Sequence, residues 1–158
     1  MKSFKLIPIG AALTLCVAAS APAFAVTVAP AGPITLSGST TLTNPVTSLG
    51  CTATMTGTIG GSGEISITSA SFSGNSLCSH VTPASLPWSG QVLSTTSLSL
   101  SGVGVNTPLG NCGPSTIGAS MTENPADKET VIGFAQQILS GGCKVSGSLT
   151  TTPYLTVQ

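Results

Sequence analysis

Charge is what this chain most lacks. Ionic side chains make up 5% of it, where ordinary soluble proteins carry about 25%. The cations are Lys2, Lys5, Lys128 and Lys144. They form no basic patch, which excludes neutralisation of nucleic-acid phosphates. Imidazole is as scarce: His80 stands alone. A Ser nucleophile needs a base and an orienting group, and no G-x-S-x-G elbow surrounds any Ser. The glycines around 57–63 and 102–104 match neither a dinucleotide nor a phosphate-loop pattern. The Cys are not in C-x-x-C pairs, so a zinc site is disfavoured. Glu123, Asp127 and Glu129 cluster with Lys128 and read as a solvated loop tip. The rival readings are a carboxylate pair for glycoside cleavage and weak calcium binding, though the residues do not form an EF-hand loop. The expectation is a non-enzyme without metal or cofactor.

What is present begins with an export signature. Lys2 and Lys5 precede an apolar run from Leu6 to Ala19. Ser20 to Ala25 are mostly small, ending in Ala23-Phe24-Ala25. This is the order of a secretory signal peptide with an A-x-A cleavage site. The run is short for a membrane span of about 20 residues. Cys16 raises lipidation as a rival, which the bulky Leu15 before it disfavours. The reading is a signal peptide at 1–25 and one secreted β domain at 26–158, with no transmembrane segment after processing.

The processed part keeps Cys51, Cys78, Cys112 and Cys143. Four Cys in an exported chain imply two disulfides. Three pairings are open. Cys51–Cys78 with Cys112–Cys143 is favoured because each closes a loop of about 30 residues, worth about 3 kcal/mol per bond. Two Lys against Glu64, Glu123, Asp127 and Glu129 leave a charge of about −2. Ser and Thr supply about a third of the processed residues. A hydroxyl surface without charge repels its copies weakly, as on self-associating or cell-surface proteins.

Short alternating runs punctuated by Gly, Pro, Ser and Asn predict an all-β fold, an antiparallel β-sandwich or small barrel stapled by two disulfides. Thr52 to Ile59 alternate Thr with Cys51, Ala53, Met55 and Gly57. The turn at 60–63 leads into Glu64 to Phe72, where a phase slip near Ser69 predicts a bulge. Residues 77–88 read as an irregular loop and 89–105 as one long alternating region. Thr107 to Pro114 break it, and Ser115 to Thr122 form a short strand. Ile132, Phe134 and Ile138 mark a further strand, with a short helix as rival. Lys144 to Leu149 and Tyr154 to Val157 complete the set. Leu86, Pro87 and Trp88 stand out within the irregular loop. They are either an exposed apolar contact or, with Trp88 buried, a plug closing the core.

These residues resemble a known family. After the signal come Val28-Ala29-Pro30-Ala31-Gly32, Cys51 with Thr56-Gly57, Leu77-Cys78 and Leu86-Pro87-Trp88. Asn111-Cys112-Gly113-Pro114-Ser115-Thr116-Ile117 and Ser140-Gly141-Gly142-Cys143 follow. The ordered set is similar to the PraA/PraB-like activators of alkane oxidation. The resemblance implies an extracellular, non-enzymatic protein that assists growth on alkanes by surfactant-like dispersal of hydrocarbon, or by biofilm or surface attachment. Its partners would be hydrocarbon, the cell surface or biofilm matrix, and other copies of itself. The alternative is a self-assembling, fimbria-like subunit that adds Val26 to Thr43 as a strand to a neighbour.

Overall fold

The computed structural model describes residues 26–45, 47–108 and 110–158. The expected signal peptide at 1–25, with Cys16, lies outside the described residues.

Alternation of small polar and apolar residues builds eleven strands: β1 (Val28–Ala29), β2 (Gly32–Thr43), β3 (Ser48–Ile59), β4 (Glu64–Gly74), β5 (Thr82–Ala84), β6 (Trp88–Ser94), β7 (Ser97–Thr107), β8 (Gly110–Asn124), β9 (Glu129–Leu139), β10 (Cys143–Thr152) and β11 (Thr156–Val157). All pairings are antiparallel. Around the sheet the order is β2-β3-β4-β6-β7-β8-β9-β10, and β10 returns to β2, with Lys144 opposite Thr43 and Thr152 opposite Thr35. The sheet therefore closes into an eight-stranded barrel, and the sandwich option is corrected. Alternation records only that each strand has one inner and one outer face, which both architectures share. Closure is decided by which strands meet.

The inner rows are apolar. In β3, Leu49, Cys51, Ala53, Met55 and Ile59 point inward and Thr52, Thr56 and Thr58 outward. Gly38 and Gly57 interrupt inner rows where a Cβ would strike the backbone oxygens of Ser148 and Ser66. Such glycines let strands bend sharply around a narrow barrel. Outside, hydroxyls align across strands, as in Thr150–Ser37–Thr54–Ser71 and Ser148–Ser39–Thr52–Ser73. A transmembrane barrel has the reverse arrangement, apolar outside and polar within.

The bulge expected near Ser69 is present, with Thr68 the extra residue between Ser69, which faces Thr56, and Ile67, which faces Gly57. Several strand limits differ from the sequence reading. The 89–105 region is two strands, because Thr95 and Thr96 turn the chain despite their β-branched side chains. The 77–88 loop contains a 3₁₀ turn at Cys78–His80 and the edge strand β5. β8 starts at Gly110, ahead of the expected start at Ser115, and runs unbroken through Cys112 and Pro114.

One end of the barrel is covered by the short β1–β11 pair. Val28 pairs with Val157, and the Thr27 and Gln158 backbones exchange hydrogen bonds of 2.8 and 2.9 Å. Both disulfides staple the opposite end. Cys51 on β3 joins Cys78, and Cys112 on β8 joins Cys143 on β10, each with Cα atoms 5.7 Å apart.

Candidate functional site

Trp88 opens β6 and points into the barrel, 1% exposed. Its indole N–H donates to the Ala84 carbonyl at 2.8 Å, satisfying the polar edge of an otherwise apolar ring. Gly102, at φ +79°, leaves room beside that ring. Leu86 is half-buried against the core and Pro87 is exposed. The Leu-Pro-Trp motif is thus split: Trp88 fills the interior, and Pro87 is its solvent-facing member.

The charged segment is also split. Asp127 and Lys128 lie on the exposed turn. Glu123 is partly buried: its Oε1 accepts the Val157 N–H at 2.7 Å, and its Oε2 accepts the Tyr154 hydroxyl at 3.4 Å. Partial burial, then the Glu123 carboxylate, holds the Tyr154 phenol above its usual range. Glu129 accepts the Thr150 hydroxyl at 2.8 Å. Two of the carboxylates expected at a solvated tip instead fasten the sealed end. Among the described residues no group of three His, Cys, Asp or Glu is placed to hold a metal.

The barrel interior holds an apolar cavity of about 100 Å³ lined by residues such as Met55, Ile67, Ile117, Met121, Phe134 and Leu149. Thr40 and Thr151 are the hydroxyl-bearing residues of its wall. Both turn their hydroxyls to backbone carbonyls, of Cys51 and Pro153, each at 3.1 Å. No buried side-chain N or O among the described residues lacks a partner. The interior therefore offers a guest no free hydrogen-bond donor. A void of this size costs about 2 kcal/mol when empty, and apolar voids stay dry.

The barrel wall is incomplete between β8 and β9. Their ladder runs only from Ser120–Gly133 to Asn124–Glu129. Beyond it β9 bulges: its register with β10 slips between Val145 and Gly147, and Gln136 adopts φ 51°, a conformation uncommon for a residue with a Cβ. The strands are then joined by isolated hydrogen bonds. Gly118 N–H donates to Gln137 Oε1 (2.9 Å), Ser140 N–H to Ser115 Oγ (2.8 Å), and Gly113 N–H to the Ser140 carbonyl (2.8 Å). The Cys112–Cys143 disulfide spans the same gap. The bulge also corrects the expected inner row. Ile138 faces out, 71% exposed, and Leu139 takes the buried place at 1%. The sequence signal was the polar Gln136-Gln137 pair amid apolar alternation.

A family model for the PraA/PraB-like alkane oxidation protein activators matches residues 1–158. The chain belongs to that family. No curated protein and no solved structure matches it. For this PraA/PraB-like chain, membership joins the word activator to a molecule whose described features are an apolar interior, a hydroxyl exterior and two disulfides.

Proposed function

We propose that this chain is an exported, non-enzymatic helper of alkane utilisation that works where cell or water meets hydrocarbon. One observation carries the reading beyond the family name: an outer surface rich in hydroxyls and nearly free of ions encloses a predominantly apolar interior. Bringing an ion near oil costs several kcal/mol in lost hydration; a hydroxyl costs less. Single apolar side chains stand on that outer surface, Leu77 (44% exposed), Leu93 (58%) and Ile138 (71%), with Pro87 beside Trp88. They supply points of contact with an oil phase or an apolar surface. The disulfides fit an oxidising, extracytoplasmic compartment. Dispersal of hydrocarbon and attachment to surfaces or biofilm matrix belong to the same interfacial role.

The test pairs growth of a deletion strain on alkane and on a soluble carbon source with adsorption of the purified protein to an alkane–water interface. A growth defect confined to alkane, with adsorption, is expected. Normal alkane growth and no adsorption by folded protein overturn the reading. The fimbria-like alternative has less support. β2 is hydrogen-bonded on both edges, to β3 and β10, and β1 pairs with β11. Donating this segment to a neighbour would open the barrel. Ladders or filaments in size-exclusion profiles would favour that alternative.

A further inference from the structure

We propose that the barrel interior is a binding cavity for one short saturated hydrocarbon segment, and that the β8–β9 seam is its entrance. The inference deepens the alkane-helper reading and rests on it for hydrocarbon as the natural guest; the cavity and seam are features of the barrel itself.

The guest's chemistry follows from the wall. The two hydroxyls in it both donate to backbone carbonyls, so a carboxylate finds no donor inside, and the rest of the wall is apolar. Its size follows from the space. A methylene occupies about the volume of a water molecule, roughly 30 Å³, so about 100 Å³ accommodates three or four carbons. An apolar cavity only somewhat larger, about 150 Å³, takes up benzene or xenon.

The entrance follows from the missing ladder. Behind the seam stand Ile117, Ala119 and Phe134, all in the cavity wall. Ala119 is only half-buried and carries the smallest side chain of the three. Gln137 bridges the opening through one hydrogen bond to Gly118, while its amide donates to the Ala135 carbonyl at 3.1 Å. A side-chain bridge parts without unzipping a strand. Main-chain pairing is also absent between β4 and β5, but Trp88 and Cys78, 1% and 0% exposed, fill the space behind that boundary.

Met55 and Met121 both line the cavity and report on it directly. Protein expressed from the full chain and purified after export, labelled at methionine methyls, is titrated with xenon and with n-butane. Saturable shifts of both methyl signals with both probes are expected. Ala119→Leu, which fills the space, is expected to weaken n-butane binding at least tenfold. Ile117→Ala, which enlarges it, is expected to strengthen binding several-fold. Gln137→Ala is expected to speed guest exchange several-fold, and Gln137→Glu, which keeps the acceptor for Gly118, to retain the wild-type rate. No saturable shift in folded wild-type protein overturns the cavity. Shifts with xenon alone overturn the hydrocarbon assignment. Equal exchange rates in wild type and Gln137→Ala overturn the seam as entrance. An alkane growth defect with adsorption but without methyl shifts sinks this inference and leaves the proposed function standing; methyl shifts with neither a growth defect nor adsorption do the reverse.

Discussion

Thr130 holds both polar groups of Leu155: its Oγ1 accepts the Leu155 N–H at 2.9 Å and donates to the Leu155 carbonyl at 2.8 Å. Thr130 is fully buried and Leu155 nearly so. One side chain thus replaces a strand partner for the segment leading into β11. Thr130→Val keeps the shape and strands two buried backbone groups. It is expected to cost about 2–4 kcal/mol in urea unfolding, since each unsatisfied group costs about 1–3 kcal/mol. Thr130→Ser is expected to restore most of that loss.

Trp88→Ala is expected to lower stability by about 3–5 kcal/mol, as for other large aromatic truncations in cores. Urea titration followed by circular dichroism measures this without relying on the lost indole. A loss below about 1 kcal/mol would contradict the enclosed position of the ring.

The two disulfides are expected to differ in what their removal exposes. Replacing either pair by Ser is expected to cost about 3 kcal/mol. Loss of Cys112–Cys143 is expected to speed hydrogen exchange first at the Gly113 and Ser140 amides, which bridge the seam. Loss of Cys51–Cys78 is expected to do so around the 3₁₀ turn.

Tyr154 gives a pH signature. Its phenol holds its proton more tightly in the folded chain than in the unfolded one. That contribution is complete below the ordinary phenol range, near 10, and is lost as pH rises through the raised folded value. Stability is expected to fall on the alkaline side in wild type, and Tyr154→Phe is expected to flatten that fall. Tyr154 is the chain's one tyrosine, so phenolate absorbance follows the titration directly.

The β class, the inner row of β3 and the hairpin with its bulge were legible because period-two alternation records which face is buried. Strand ends were less so. Thr95-Thr96 carry no Gly or Pro, and their turn is set by the pairing of β6 with β7. Pro114 did not end a strand, because β8 there faces β7 through an irregular register. The seam and the carboxylates fastening the sealed end depend on partners more than ten residues away. Glu123 reads as one more charge on a loop until Val157 is seen to donate to it.

The ladder between β2 and β10 has a kinetic consequence. It joins residues 35–43 to 144–152, so its partners lie at opposite ends of the described chain. Long-range pairing of this kind makes folding slow, because loop-closure entropy is lost before the contacts that reward it are formed. Hairpins such as β3–β4 can form early. The barrel cannot close until β10 is available, so during synthesis the sheet stays open and unfinished until residues 144–152 have been made.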